Sequence, residues 1–313
     1  MFRIETDYLG ALVRFKLVNM MNQESVSVIP GFGGSVNKIV LGKKSRNYSI
    51  LDGAKTYSEL IKNRFFKGAK LLPFPNRINN GQYIFEGKSY QLPVKTGRHA
   101  IHGFIYDKTL GVTKEMINDN QASLELEYVY DATITGYPFK FQALLTYCLM
   151  RDHGFQYKTK IINLNPYPMP VGDGWHPYFR TGGKVDRMYI KIPAESKLEA
   201  DAGMIPTGKF IHENYADSFQ IGNQELSAGF VLKQANGNAV TELYDPEADV
   251  KICIWQETGK QRYNYLQTFI PPSRKSIAIE PMTCAADAFN NKMGLIVLEP
   301  QQSFEASCGV YLE

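Results

Sequence analysis

The chain has 313 residues, of which 44% are hydrophobic and 21% charged, a composition typical of a globular protein. Its formal net charge of +4 is small and dispersed, with one short basic run at 43–46, which argues against a nucleic-acid partner. No stretch approaches the ~18 uncharged apolar residues of a membrane span, so we expect no membrane partner either.

The N-terminal segment and the cysteines indicate where the protein resides. Residues 1–20 carry charges throughout and lack the apolar core of a signal peptide. Cys148, Cys253, Cys284 and Cys308 are widely separated and form no CxxC pair, so we expect buried, reduced thiols and no metal site. A cytoplasmic protein is the expectation.

The predicted elements begin with one helix and one hairpin. Residues 57–70, YSELIKNRFFKGAK, predict a helix of at most three turns, with Ser58 as N-cap and Gly68 as stop. Residues 83–92, YIFEGKSYQL, predict a hairpin that turns at 86–88.

Strand patterns dominate the rest of the chain. Leu and Glu alternate at the start of 124–130, as in a half-buried strand. The runs 139–150 and 155–163 are rich in aromatic and β-branched residues and flank the turn-like RDHG, so they predict a second hairpin. KSIAIEP and LIVLEPQQSFEASCGVYL predict two or three further strands near the C-terminus.

These elements predict an all-β protein. We find no repeat, no low-complexity tract and no linker, so residues 1–313 are expected to form a single domain. The expected architecture is a large antiparallel β-sandwich of two twisted sheets.

Three ionisable residues lie where a strand pattern gives way to a turn. His102 in RHAIHGF, His176 in GDGWHPYFR and Glu280 in IAIEPMT are each followed at once by Gly or Pro. Such positions often carry functional groups. In SIAIEP, alternation puts Ile277 and Ile279 on one face and Glu280 on the other, beyond small side chains, as in a strand that lines a pocket.

A fourth candidate is Arg77 in PFPNRINNG. Two prolines and Asn76 restrict the backbone around it, and a preorganised guanidinium suits bidentate hydrogen bonds to oxygens. An arginine, two histidines and a glutamate in turn-proximal apolar settings fit an acid–base site for a polyhydroxylated ligand.

Each candidate also has a structural interpretation. A histidine beside aromatic residues, such as His176, is often a packed core residue held by a hydrogen bond. Arg77 could pair with a carboxylate, and Asp287 could cap or pair locally.

The remaining histidines are weaker candidates. His99 and His102 form HxxH, but on a strand this spacing places them on opposite faces, which argues against a shared metal ion. His153 in the RDHG turn and His212 in a polar segment are expected to face solvent.

Taken together, the chain resembles the aldose 1-epimerases, or galactose mutarotases, nearly from end to end. The resemblance is carried by SVIPGFGGSVNKIVL, YSILDG, PFPNRINNGQYIFEGKSYQL, HAIHGF, YPFKFQALLTYCL, IINLNPYPMPVGDGWHPYF and IAIEPMTCAADAFN. These elements are specific in combination, although each alone is weak. The family fold is a large antiparallel β-sandwich, in agreement with the strand pattern.

The resemblance implies a reaction and its two proton-transfer residues. His176 is the general acid that protonates the ring oxygen of a sugar, and Glu280 is the general base that accepts the proton of the anomeric hydroxyl. The pyranose opens, the C1–C2 bond rotates, and reclosure gives the other anomer. A histidine near its usual pKa of ~6.5 can act in both directions, whereas Glu280 needs a raised pKa.

The resemblance also implies the rest of the site. His102 completes the catalytic set as a polarising residue, and Arg77, Asn76 and Tyr178 are assigned to substrate binding. No cofactor is required, because the reaction does not change the redox state of the sugar. The expected partner is a small-molecule sugar, and the protein is expected to be a monomer or a homodimer.

One segment departs from the family pattern. Members commonly carry an aspartate in L/F-D-x-x-F that binds a sugar hydroxyl, but LSAGF places Ser227 at this position. Asp217 or Asp245 could substitute. The departure leaves the identity of the sugar open.

Three alternative functions stay open. A hexose-6-phosphate 1-epimerase needs a basic cluster for the phosphate, which Lys95, Arg98 and Lys108 beside HGF could supply. A non-catalytic sugar-binding domain would keep the pocket without turnover. A glycoside hydrolase needs two carboxylates, and only Glu280 has a suitable setting.

Overall fold

We describe a computed structural model of the chain, covering residues 1–95, 97–234 and 237–313. In chain order the strands are β1 Phe2–Leu9, β2 Leu12–Asn19, β3 Ser25–Ile29, β4 Ser35–Lys43, β5 Arg46–Ser49, β6 Ala69–Leu71, β7 Arg77–Ile78, β8 Gln82–Phe85, β9 Lys88–Gln91, β10 Ala100–Ile101, β11 Gly111–Ile117, β12 Gln121–Tyr130, β13 Phe141–Met150, β14 Gly154–Asn163, β15 Met169–Val171, β16 Gly174–His176, β17 Tyr178–Phe179, β18 Tyr189–Lys191, β19 Ala194–Ala200, β20 Pro206–Ile211, β21 Phe219–Gln220, β22 Ala228–Leu232, β23 Asn238–Asp245, β24 Val250–Glu257, β25 Tyr265–Phe269, β26 Ile277–Met282, β27 Ile296–Leu298 and β28 Ser303–Leu312.

Helix is sparse. The two α-helical segments are α1 Tyr57–Lys62 and α2 Ala288–Asn291, and single 3₁₀ turns occupy Asn79–Gly81 and Val185–Arg187. Within the described ranges, no helix is long and apolar enough to cross a bilayer.

Three antiparallel sheets form the body of the protein. The first has the order β1-β2-β3-β4-β5, and the second has nine strands in the order β11-β12-β13-β14-β28-β24-β23-β18-β21. The third has eight, in the order β20-β19-β22-β25-β26-β16-β6 with β17 beside β26. The expectation of an all-β, large antiparallel β-sandwich is therefore confirmed.

The core lies between the nine-stranded and the eight-stranded sheets. Trp175 of β16 is fully buried, and its ring centroid is 5.7 Å from that of Phe155 and 5.8 Å from that of Tyr157, both on β14. Each such side chain contributes roughly 1.5–3 kcal/mol through burial. The four cysteines are buried and unpaired, as expected.

Both predicted hairpins are present. Strands β13 and β14 pair from Phe141 opposite Asn163 to Met150 opposite Gly154. Strands β8 and β9 are joined by Glu86 and Gly87, both left-handed, as a two-residue hairpin turn requires. The predicted strand 124–130 lies within β12, and the C-terminal runs form β26, β27 and β28.

The predicted helix is wrong in its length and in its cap. It covers only Tyr57–Lys62, and its N-cap is Thr56 rather than Ser58: the Thr56 hydroxyl accepts the Glu59 N–H at 3.1 Å. It ends at Asn63, whose left-handed backbone closes the last turn. The remaining predicted turns are replaced by an irregular segment that leads into β6.

Candidate active site

The two predicted proton-transfer residues lie on neighbouring strands of the eight-stranded sheet. His176 ends β16 and Glu280 lies in β26, and these strands are joined where Gly174 pairs with Met282. His176 Nε2 is 3.4 Å from Glu280 Oε1. The structure therefore brings together residues that are 104 positions apart in the sequence.

Glycine at position 68 allows β6 to approach His176. Gly68 has a left-handed backbone, and a Cβ there would lie 2.1 Å from the carbonyl oxygen of Val36. Its N–H donates to the carbonyl of His176 at 2.9 Å. Gly68 therefore allows close packing beside the site. The expectation that it ends a helix is wrong, because α1 ends at Lys62.

Burial controls the protonation of the pair. His176 is 5% exposed and Glu280 is 2% exposed. Burial lowers the pKa of His176 to about 3. It also raises the pKa of Glu280 well above its usual range, although the charge of Arg77 opposes that shift. The raised pKa of Glu280 agrees with the sequence analysis, whereas the expectation that His176 keeps its ordinary pKa is wrong.

These shifts favour one arrangement of a single proton. Burial disfavours both charged forms, so the resting pair is a neutral imidazole and a protonated carboxyl. An imidazolium and a carboxylate carry the same number of protons and differ only by one proton transfer. The two groups therefore titrate as a coupled unit.

Both groups keep polar atoms available. Within the described residues, His176 Nδ1 and Glu280 Oε2 have no hydrogen-bond partner. Buried polar atoms are normally paired, so such atoms mark a position where a ligand can bind.

His102 is turned towards this pair by its backbone. It has a left-handed φ of 61°. The next residue must be glycine, because Gly103 has φ 65° and a Cβ there would lie 2.1 Å from the carbonyl oxygen of Leu72. Its Nδ1 accepts the N–H of Asn76 at 3.1 Å, which leaves Nε2 to carry the proton of the neutral ring. The ring centroid is 5.1 Å from that of His176.

The position of Arg77 is fixed by its neighbours. Its Nη1 donates to Asn76 Oδ1 at 3.2 Å, and Asn76 Nδ2 donates to Gln267 Oε1 at 3.1 Å. The Asp287 N–H donates to the Arg77 carbonyl at 2.6 Å, and Asp287 Oδ1 accepts the Asn79 N–H at 2.9 Å. The same oxygen accepts a hydrogen bond from Asn290 Nδ2 at 2.7 Å, so Asp287 also pairs locally. Within the described residues no carboxylate lies within 4.0 Å of the guanidinium.

Tyr178 contacts the pair through stacking. Its ring lies parallel to that of His176, with 5.0 Å between centroids and 16° between planes. Burial raises the pKa of its hydroxyl, and the nearby Glu280 and Asp52 raise it further, so the phenol stays neutral. Tyr178 orients the imidazole, and its role in substrate binding stays a prediction.

A cavity of about 430 Å³ adjoins Asn76 and Arg77, and its lining also includes Gln267 and Ser227. His176, His102, Tyr178 and Glu280 are not among the residues that line it. The volume is that of a small-molecule site.

The expected substitutes for the missing aspartate are not in this cavity. Asp217 accepts a hydrogen bond from Asn214, and Asp245 binds Arg187 at 2.7 Å and also Thr181. Neither is among the residues that line the cavity, so that expectation is wrong. Its carboxylates are those of Glu199 and Glu225.

The predicted phosphate cluster is dispersed. Lys95 and Lys108 both contact Asp107, at 3.4 and 3.1 Å. Arg98 donates instead to Asn80 Oδ1 at 2.9 Å. The three cations therefore do not converge on one group, which weakens the case for a phosphorylated sugar.

The two members of HxxH have different surroundings, and the other histidines lie at the surface. His99 is half-exposed and its Nδ1 accepts the Asn80 N–H at 3.1 Å. His153 and His212 are exposed, as expected.

Sequence analysis did not identify two residues that touch the site. Gln267 lies opposite Glu280 in the register of β25 and β26, and only that register reveals it. The ring of Phe66 lies 4.7 Å from that of His102, but its position in a predicted helix gave no indication of this contact.

A buried ion pair was also not identified. Lys70 Nζ lies 2.6 and 2.7 Å from the two carboxylate oxygens of Asp173 and donates to the Thr159 hydroxyl at 2.6 Å. The Tyr263 hydroxyl donates to Asp173 at 2.6 Å. Both charged side chains are fully buried.

Comparisons with known proteins agree with this architecture. The family model described as "Aldose 1-epimerase" matches residues 16–311. YihR of Escherichia coli, an uncharacterised protein, is 25% identical over 253 residues, which are 78% of each chain. Galactose mutarotase of Rattus norvegicus is 27% identical over 210 residues, 64% of this chain and 57% of the rat protein.

Solved structures show the same fold. A galactose mutarotase-like protein from Clostridium acetobutylicum has a TM-score of 0.88 at 22% identity, covering 100% of this chain and 98% of the other. Galactose 1-epimerase from Lactobacillus acidophilus has a TM-score of 0.83 at 15% identity, with the same coverage.

Proposed function

Because the chain belongs to the aldose 1-epimerase family, a family of isomerases, we propose that it interconverts the α and β anomers of an aldohexose such as glucose or galactose. The reaction opens and recloses the pyranose ring by acid–base catalysis at His176 and Glu280, with the sugar extending into the cavity that Arg77 and Asn76 line.

One proton cycles between the pair and the sugar. His176 Nε2 in its protonated form gives a proton to the ring oxygen as the C1–O5 bond breaks. Glu280 accepts the proton of O1 as the C1–O1 double bond forms. After C1–C2 rotation, Glu280 returns a proton to O1 and His176 takes one from O5 as the ring recloses on the other face.

Burial helps the opening step. Ring opening converts imidazolium and carboxylate into neutral imidazole and carboxylic acid, the arrangement that burial favours. Arg77 works in the opposite sense, since its charge lowers the pKa of Glu280 and keeps the carboxylate accessible before the step. These opposing influences fit a reversible reaction.

The remaining site residues bind and orient the sugar. His102 presents its Nε2–H beside His176, and Arg77, Asn76 and Gln267 supply polar groups on the cavity wall. The single observation that carries the proposal is the separation of 3.4 Å between His176 Nε2 and Glu280 Oε1 in a buried setting. Two proton-transfer groups so close can serve two oxygens on one carbon.

Polarimetry tests the proposal. Freshly dissolved α-D-glucose and α-D-galactose should mutarotate faster with the wild-type protein. The His176→Asn and Glu280→Gln variants should each lose ~10²–10⁴-fold in kcat, because each removes one proton-transfer group. His153→Asn, an exposed histidine, is the matched control and should keep wild-type turnover.

Two results would contradict the proposal. Near-normal turnover by Glu280→Gln would exclude it as the base. Binding of a hexose without any acceleration of anomer exchange would instead identify a non-catalytic sugar-binding domain.

A further inference from the structure

The ring of Phe66 lies over both active-site histidines. It meets His102 edge-on, with 4.7 Å between ring centroids, and is stacked within 22° of His176 at 6.4 Å. Tyr106 packs against its other edge at 5.0 Å. Phe66 itself is half-buried, whereas the imidazoles beneath it are almost fully buried.

Phe66 also forms a wall between two cavities. One, of about 590 Å³, is lined by Phe66, Arg77 and Met204. The other, of about 550 Å³, is lined by Phe66 and Tyr106. Within the described residues, neither His176 nor Glu280 lines either cavity. The open space therefore reaches Arg77 and stops at the ring of Phe66.

The backbone at Phe66 is left-handed and is held by local hydrogen bonds, among them Ala69 N–H to Phe66 O at 3.0 Å. The adjacent Lys67 is ion-paired with Asp52 at 3.0 Å. Phe66 has φ 52°, a left-handed value that is uncommon outside glycine, and its N–H donates to Asn63 O at 3.2 Å. The preceding helix α1 buries only Leu60. Segments with few buried contacts and strained dihedrals open at low free-energy cost.

We propose that Phe66 is a movable cover of the acid–base pair. Without sugar its ring keeps water from His176 and His102. It swings into one of the two adjoining cavities to admit the sugar and then packs against an apolar face of the pyranose. The inference rests on the proposed function, since it gives Phe66 a part in that reaction.

The cover determines the surroundings of His176. The ionisable groups that face this ring are Glu280, His102 and the stacked Tyr178, and Arg77 acts on the first two. Burial is the largest cause of the low pKa of His176. Removing the ring admits water, so the pKa of His176 rises towards its ordinary value.

Histidine NMR titration tests the cover without any substrate. In the wild type, His176 should remain neutral between about pH 5 and 8. In Phe66→Ala it should titrate within that range, and Phe66→Tyr, which keeps the ring, should behave as the wild type. Phe65→Ala is the matched control, since that ring packs against Phe269 at 6.3 Å. The resonance is assigned with His176→Asn.

Polarimetry supplies the second readout. Phe66→Ala should raise KM for α-D-galactose and lower kcat, so that kcat/KM falls by roughly ten-fold or more. Phe66→Tyr, which keeps the ring, should recover most of that loss, and Phe65→Ala should keep wild-type values. A ring that only packs its own segment, without covering His176, would leave the titration of His176 unchanged.

The outcomes distinguish failure of the Phe66 cover from failure of the proposed mutarotase function. Identical His176 titrations in wild type and Phe66→Ala would overturn the cover. If Phe66→Ala does not fold, Phe66→Leu, which retains apolar volume but not the ring, serves in its place. A wild type that does not accelerate mutarotation, with His176 newly titrating in Phe66→Ala, would overturn the proposed function and leave the cover supported.

Discussion

Two buried pairs of a basic and an acidic side chain, both among the described residues, differ in how closely their members contact each other. Lys70 and Asp173 lie 2.6 Å apart, and hydroxyl groups of Thr159 and Tyr263 complete their contacts. His176 and Glu280 lie 3.4 Å apart, and within the described residues His176 Nδ1 and Glu280 Oε2 have no hydrogen-bond partner. Asp173 Oδ1 also accepts no directed hydrogen bond from the described residues, but Lys70 Nζ lies 2.6 Å from it. Burial drives the second pair towards neutrality.

The difference shows how one sheet can serve both stability and chemistry. Lys70 lies on β6, and Asp173 immediately precedes β16, the strand that ends at His176. We call the first pair saturated, since both charged groups are in direct contact, and expect it to act on structure alone. Under the proposed function, the unsaturated second pair keeps donors and acceptors for a substrate and accepts a cost in stability.

The largest expected effect breaks the saturated pair. Lys70→Met should lower the free energy of unfolding by about 3–5 kcal/mol, because it leaves the Asp173 carboxylate buried and unpaired. Urea denaturation measures the loss. The kcat of the folded fraction should fall by less than about ten-fold, since neither side chain contacts His176 or Glu280.

A double variant sharpens this test. Lys70→Met combined with Asp173→Leu removes both charges and should regain part of the lost stability. A double variant as unstable as Lys70→Met would mean that the hydroxyl contacts, and not the uncompensated charge, dominate.

Next in size is the pH dependence of stability at the unsaturated pair. The folded pKa of Glu280 is raised, so its stabilising contribution is complete below its unfolded pKa of 4.5 and is lost as pH rises through the folded pKa. As pH rises above 4.5, the stability of Glu280→Gln relative to the wild type should therefore increase, by at most ~1.4 kcal/mol per pH unit, until the folded pKa of Glu280 is passed. Thermal unfolding over a pH series measures it.

His176 serves as a control, because its contribution to the free energy of unfolding changes with pH in the opposite direction. Its folded pKa is lowered to about 3, so its contribution is present above its unfolded pKa of 6.5 and is lost as pH falls towards 3. His176→Asn should therefore flatten the acidic limb and leave the neutral limb unchanged. A Glu280→Gln curve parallel to the wild type would show that Glu280 is ionised in the folded protein.

The smallest expected effect concerns the cavity wall. Ser227→Asp restores a carboxylate acceptor near the bound sugar and should lower KM for galactose by roughly ten-fold, with kcat within about two-fold. Ser227→Ala is the control and should not lower KM. A large fall in kcat with Ser227→Asp would place this position next to the reacting atoms, where its charge opposes ionisation of Glu280.

The fold could be predicted from local sequence patterns, whereas the pair His176 and Glu280 was predicted from a combination of motifs. Alternation and turn residues identify strands such as β12 and hairpins such as β13–β14, because these patterns are local. The roles of His176 and Glu280 came from motifs in combination, and they stay predictions until tested. Sequence spacing could not reveal Gln267, whose relation to Glu280 depends on the pairing of β25 with β26.

The remaining errors also have physical causes. Residues 63–70 have helical composition, but the close approach of Gly68 to β4 and β16 overrides that propensity. The pKa of His176 depends on its burial in the folded protein, which local sequence does not determine.

The acid and the base stand on hydrogen-bonded strands, whereas Ser227 and its neighbours lie on a loop and the start of β22. Under the proposed function, we expect substitutions in the loop to change which hydroxyl groups are recognised without moving either proposed proton-transfer group. A lineage with this arrangement would then exchange one sugar for another over short evolutionary distances. For protein engineers, the same separation makes residues 224–229 the place to diversify while the strands are left untouched.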